Sequence, residues 1–418
     1  MTRHALTTGQ PHYRLDPTGT DIQGEAAALR EYGPATRVLL PRDIPAWAVT
    51  SQDLACRLLT RTDDISKDAR QHWPAYIAGE IPADWPLRVW TDVVNALTAH
   101  GLDHKRLRLP LAQAFRPRRV RALVPHVENI TEQLLDDLQA TGPDEEVDLK
   151  AAFTWRLPLL VIDQLFHVPG HLRSTFRGAC GDLFATSLSS EEMNAARLRI
   201  NALIIELIDY KRAHPGDDLS TDLIAANDAG ELNGQELIDS FLLVIGAGHE
   251  TTVNALGHGV VGLSTHPDQL ALAISERVPW ERVIEEILRH QSPVATVVAR
   301  FAVRTIHDEP TGLTFGEGDV IVVNYAAAGR DRIVHGGTAD DFDVTRPTAH
   351  RHLAFGVGAH MCVGAELARI EARIALRQLF ARFPQLRLAV EPVDLKPLSS
   401  FISNGYASLP VVLGPSAS

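Results

Sequence analysis

Apolar positions recur at helical spacing over most of this chain and alternate in only a few short stretches, so the pattern predicts a mainly α protein with a small β region. Residues 36–51 alternate around Pro41-Arg42-Asp43 and predict a β-hairpin, 37–40 paired with 46–50. Helical periodicity covers residues 53–59, 104–114 and 120–140, then three segments between 151 and 215, the last closed by Pro215-Gly216. Residues 70–101 hold prolines and Trp73, Trp85 and Trp90 with little period. A connection that long is usually functional, and its tryptophans read first as core anchors and second as a ligand wall. Residues 233–266, bounded by Asn-Gly and Pro267, read as one helix of about 50 Å at ~1.5 Å per residue. Gly246 and Gly248 at its centre each cost about 1 kcal/mol relative to alanine, and a flat ligand pressed on that face would account for them. No repeat or low-complexity linker divides the chain, so residues 1–418 are expected to form a single domain, with about the first 20 as a loosely packed arm.

The bulk properties exclude several classes. Hydrophobic residues at 45% and charged residues at 22% describe an ordinary globular protein. A net charge of −12 argues against a protein basic overall and built for nucleic acid. Cys56, Cys180 and Cys362 form an odd, sparse set that suggests a reducing compartment, and without a CxxC pair no zinc knuckle is expected. Residues 1–10 lack a signal-peptide core, and the longest strongly apolar run, 241–248, is far shorter than a bilayer span. The chain is therefore expected to be cytoplasmic, with no membrane anchor.

The densest chemical signal is Phe355-Gly356-Val357-Gly358-Ala359-His360-Met361-Cys362-Val363-Gly364. One cysteine follows a glycine-rich loop and opens a strong helical pattern, where the helix macrodipole is expected to lower its pKa and make it a ready metal ligand. A haem iron with a proximal thiolate suits that setting. The decapeptide resembles the haem-binding signature of the cytochrome P-450 family, Phe-Gly-x-Gly-x-His-x-Cys-x-Gly, with every specified position filled. A dinucleotide loop is rejected because the third glycine position is Met361.

The resemblance extends along nearly the whole chain, from about residue 35 to residue 413. Ala247-Gly248-His249-Glu250-Thr251-Thr252 resembles the family's oxygen-binding motif, which implies that Glu250 and Thr251 are the acid–alcohol pair relaying protons to dioxygen. Thr252 reads as a threonine bonding back to its own helix. A zinc-protease reading of the same stretch fails because Val253 stands where the second histidine belongs. Glu286 and Arg289 match the family's Glu-x-x-Arg pair. Its usual arginine partner is replaced in Ala339-Asp340-Asp341-Phe342, which leaves Arg346 as a candidate. By the same resemblance His104, Arg108, Arg300 and His360 would hold the haem propionates, Phe355 and Gly248 would pack on the cofactor, and Cys362 would ligate its iron. Residues 398–405 followed by Leu409-Pro410-Val411 look like the family's last hairpin.

What the resemblance implies is a helical prism with haem b between the long central helix and the helix after Cys362. The expected activity is monooxygenation of a bulky lipophilic molecule by O2 in secondary metabolism. Electrons would come from NAD(P)H through a ferredoxin and its reductase. Arg116, Arg118, Arg119 and Arg121 form a basic cluster that reads either as a ferredoxin docking site or as ordinary solvated surface. The alternatives are oxidative coupling, cyclisation or desaturation at the same cofactor, and, more remotely, a non-catalytic haem-binding protein. Candidate substrate walls are residues 74–96, 176–193, 243–247, 294–298 and 399–402.

Overall fold

The computed structural model describes residues 13–183 and 190–417. The central helix is residues Gly234–Thr265, close to the predicted span. The Asn233 side chain accepts from the Glu236 N–H (2.9 Å) and Glu236 accepts from the Asn233 N–H (2.8 Å), a reciprocal cap that satisfies two otherwise orphaned donors. Four helices frame the site and are labelled α1 (Gly101–Ala114), α2 (Gly234–Thr265), α3 (Trp280–His290) and α4 (Ala365–Arg382). Leu256, Val260 and Leu263 of α2 enter one core with Ile287 of α3 and Leu376, Leu379 and Phe380 of α4. Gly259 makes this approach feasible, since a Cβ there would lie 2.4 Å from Leu376 Cδ1. Arg106 links α1 to the start of α2 with two 2.8 Å hydrogen bonds to the Glu236 carboxylate.

The predicted hairpin is β2 (Ala35–Leu40) and β3 (Ile44–Val49), part of a six-stranded sheet. The other strands are β1 (Tyr13–Arg14), β4 (Ile65–Ser66), β5 (Thr296–Ala302) and β6 (Val320–Asn324), in the spatial order β1-β2-β3-β6-β5-β4. The β3–β6 pair is parallel with Trp47 opposite Ile321, and the β5–β6 pair is antiparallel with Arg300 also opposite Ile321. The C-terminal hairpin forms too: the Leu398 N–H donates to the Gly405 carbonyl, and Ser403 bridges to Val294.

Two expectations are revised, and that for residues 70–101 holds. The helix expected over 120–140 is two, Pro117–Ala122 and Val124–Gln139, because Pro125 opens a new helical start. The helices Leu219–Asp228 and Pro267–Ile274 were not anticipated. Residues 70–101 contain only the one-turn helices Ala69–His72, Pro74–Ile77 and Arg88–Trp90. Trp73 and Trp85 are core anchors: Trp73 stacks on Phe301 at 5.2 Å, and the Trp85 ring N–H donates to the Pro41 carbonyl. Trp90 is the exposed member of the three.

Two histidines of α2 make acid the fold's weak side. Burial lowers His249 and His258 to about 4 from an ordinary 6.5. Each is neutral when folded and takes up a proton when unfolded, so its contribution is complete above about pH 6.5 and is lost as pH falls toward 4. Denaturant unfolding should therefore lose about 1.4 kcal/mol per pH unit per histidine across that window. His258→Gln should make the slope shallower by one proton.

Candidate active site

The Cys362 loop is fixed by its glycines and by its outer contacts. Gly356 and Gly358 adopt φ of +66° and +79°, and a Cβ on Gly358 would lie 2.4 Å from the Leu59 carbonyl oxygen. Both positions therefore require glycine. The Cys362 N–H donates to the Phe355 carbonyl (2.8 Å) and closes the loop. The Arg369 guanidinium stacks 4.5 Å from the Phe355 ring centre and pairs with Glu285, which also holds His352 at 3.0 Å. Burial works against ionisation of Glu285, yet the hydrogen bonds from His352 and Arg369 bring it down to about 2. Sequence reasoning missed this clamp, although Glu285 directly precedes Glu286.

Cys362 departs from the expected electrostatics. Burial pushes its thiol up, outweighing the Gly364 N–H, Arg108 and Arg369, which act in the opposite direction. Burial therefore opposes ionisation here, and a bound metal would favour loss of the proton. The side chain nonetheless shows surface while densely surrounded by protein. That surface opens inward.

Beside the loop the structure gathers five basic side chains: Lys67 at the end of β4, His104 and Arg108 of α1, Arg300 of β5, and His360. The His104 and His360 rings lie 4.0 Å apart. Arg108 donates to the Met361 carbonyl. Burial depresses all five, His104 to about 4, and His360 is lowered further by Lys67, His104, Arg300 and Arg108. His104 Nε2, His360 Nδ1 and one terminal nitrogen of Arg300 are buried without a hydrogen-bond partner among the described residues. Such groups are costly unless something anionic completes them. Lys67 was not foreseen, since a lysine after a short strand carries no signal in sequence.

On α2, Thr251 Oγ1 donates to the Ala247 carbonyl (2.6 Å) and Thr252 Oγ1 to that of Gly248 (3.0 Å), so back-bonding does not tell the two apart. Exposure does: Thr252 is buried, whereas Thr251 is half-buried beside exposed Ala247 and half-buried Gly248. A Cβ on Gly248 would meet only Ile162 Cδ1, at 3.9 Å, and one on Gly246 would meet nothing within 4 Å. The protein itself does not demand these glycines. Burial raises the Glu250 pKa, against the opposing influence of Ser403 and Lys150.

Behind the site, Glu286 and Arg289 are wholly buried and joined by bonds of 2.6 and 2.7 Å. Arg346 is the third member, with Nε 3.4 Å from Glu286 Oε1. The Asp341 backbone carbonyl accepts from both arginines, so the aspartate side chain at that position does not enter the network.

The description of the cytochrome P450 family matches residues 280–401. A 2-hydroxy-5-methyl-1-naphthoate 7-hydroxylase of Streptomyces carzinostaticus is 42% identical over 402 residues, covering 96% of this chain and 97% of its own. The chain belongs to the cytochrome P450 family. The 6-deoxyerythronolide B hydroxylase of Saccharopolyspora erythraea is 35% identical and covers 97% of this chain and 99% of its own. The solved structure of CYP154A1 from Streptomyces coelicolor A3(2) superposes with a TM-score of 0.87 at 45% identity, over 96% of this chain and 100% of that one. Membership makes the protein a haem- and O2-dependent monooxygenase, and its residues fit that cofactor. A partly accessible cysteine, buried donors without partners among the described residues, and glycines with open space over them could supply an axial ligand, anion partners and room for a flat ring.

The remaining expectations divide. Among the described residues, no helix is long and apolar enough to cross a membrane. Arg119 leaves the basic cluster, since its guanidinium is held by Asp217 and Asp222, while Arg116, Arg118 and Arg121 remain exposed. Phe176 is buried against Phe166 and is not an open wall, and residues 184–189 lie outside the described residues. Leu243, Val294, Val297 and Ile402 keep partly open side chains.

Arg300 offers the sharpest test of the basic cluster. Arg300→Leu should raise the rate of haem transfer to apomyoglobin by about 10- to 100-fold, as expected for losing a hydrogen bond of about 1.5–3 kcal/mol to a charged group. An unchanged transfer rate would place the propionates elsewhere.

Proposed function

We propose that this P450 hydroxylates a bulky, lipophilic ring compound of secondary metabolism, with Cys362 as axial ligand and Glu250 and Thr251 as the proton relay. Haem b bound through the Cys362 thiolate supplies the redox chemistry that activates dioxygen. His104, Arg108, Arg300 and His360, with Lys67, neutralise its propionates, and the ring of Phe355 braces the loop beneath it. Gly248, with open space over it, would let a flat cofactor approach the helix backbone. The Thr251 hydroxyl, anchored on Ala247, holds a proton at the open face of α2, and Glu250 replenishes it from the buried side. The observation that carries this reading is the partial exposure of Thr251 where exposed Ala247 and two glycines with open space over them interrupt the buried helix.

Relatives support the substrate class: the names above specify a naphthoate and 6-deoxyerythronolide B, and a vitamin D(3) 25-hydroxylase of Pseudonocardia autotrophica is 34% identical. Electrons come from NAD(P)H by way of a ferredoxin reductase and a ferredoxin that docks at exposed Arg116 and Arg118, with Arg121 in place of the ion-paired Arg119. A second reading, oxidative coupling, has support in a 32%-identical neighbour described as forming a C–S bond.

Reconstitution with ferredoxin, its reductase and isotopically labelled dioxygen separates the two. Hydroxylation places one labelled oxygen atom in the product, and coupling places none. Thr251→Ala should keep haem and substrate binding, reduce product formation by about 10²-fold, and divert electrons to hydrogen peroxide. Full yield with full coupling in that variant would remove Thr251 from the relay.

A further inference from the structure

We propose that this P450 self-associates through the outward face of the helix Ser190–Ala213, a second copy of the chain packing antiparallel against it about a two-fold axis near Asn201 and Ala202. The inward face of that helix is already complete. Ile200, Leu203, Ile204, Leu207 and Ile208 are buried there in one core with Phe241 and Val244 of α2.

The opposite face carries a second apolar row, and this one is open. Ala195, Leu198, Ala202 and Ile205 are all exposed, the two large side chains by 63% and 47%. Their spacing alternates between three and four residues, the roughly 3.5-residue repeat of a helix–helix seam. The same spacing continues to Glu191 at one end and to Asp209 and Arg212 at the other. A surface helix of a monomer needs only one apolar stripe. An isolated exposed leucine is ordinary, but a row that keeps the seam repeat is the pattern a facing helix buries. Alanine alternating with leucine or isoleucine also lets two backbones approach, since a large side chain of one helix can lie over an alanine of the other.

Charge decides the occupant. Arg199 and Glu206 stand one heptad apart on the same flank of the row, and both are exposed. A two-fold axis across antiparallel helices brings each flank beside its own copy with the direction reversed. Arg199 of each copy therefore meets Glu206 of the other, and the contact is made twice. At the ends of the row the same operation turns Glu191 toward Arg212, which stays exposed while bonded to Asp228. A lipid surface would use none of these charges. One pair of helices buries less than the roughly 1,200 Å² of a standard interface, so the association is weak and concentration-dependent.

Sedimentation velocity of the holoenzyme, followed at the Soret band from about 5 to 500 μM, tests this. The ferrous carbon monoxide spectrum confirms that each variant is intact. The sedimentation coefficient of the parent should rise with concentration toward that of a dimer, and Leu198→Glu should stay monomeric throughout. Arg199→Glu and Glu206→Arg should each weaken association about tenfold, and an equimolar mixture of the two, or the double variant, should restore it. A parent that is monomeric at every concentration would overturn the proposal. A dimer that survives Leu198→Glu, or that the recombined charges fail to restore, would place the interface elsewhere and overturn it as well. Binding of a monomeric parent to zwitterionic phospholipid vesicles, lost in Leu198→Glu, would overturn it by assigning the row to a lipid surface.

Discussion

Glu286 carries a single carboxylate into the protein interior, and two arginines share it. Arg289 and Arg346 then spend their remaining donors on the carbonyls of Gly329, His335, Thr338, Ala339 and Asp341. The chain between β6 and the Cys362 loop is a run of one-turn helices and turns, and this network ties them to α3. Removing one member of such a buried group costs about 3–5 kcal/mol, because the charges left behind stay out of water. The position of Cys362 depends on that anchor, and the Glu285–Arg369–Phe355 clamp refines it.

The site is electrostatically unfinished in a specific way. Five basic side chains crowd beside the loop with depressed pKa values, and three of them hold buried nitrogens without partners among the described residues. A protein bears such a cost where a bound anion offsets it. On the proposed reading cofactor binding and local stability would be coupled, because the propionates would complete the same donors whose burial opposes their charge. On the opposite wall the burden is backbone rather than charge, with two glycines in mid-helix that nothing in the protein requires.

Much of this was legible from side-chain type and spacing. The hairpin, the central helix with its cap at Asn233 and the helix after Cys362 each carry strong periodicity and clear boundary residues. Arg346 could be named as a candidate because the network needs a cation, but its role depends on how residues 329–346 curl, which no local pattern encodes. Lys67 and Glu285 were passed over for the same reason, since their partners come from distant strands and helices. Arg119 shows the reverse: four arginines within six residues look like one patch, yet one turns toward Asp217 and Asp222 of a neighbouring segment. The thiol of Cys362 shows how a helix-terminus argument yields to burial when the site is enclosed.

The central claim is that Cys362, held by this framework, is the haem's axial ligand. The most direct measurement is the absorption spectrum of the reduced protein under carbon monoxide, for the parent and for each cysteine variant. The account predicts the strongly red-shifted Soret band of thiolate ligation in the parent, Cys56→Ser and Cys180→Ser, and its loss in Cys362→His. A normal thiolate band from the Cys362→His protein would contradict it.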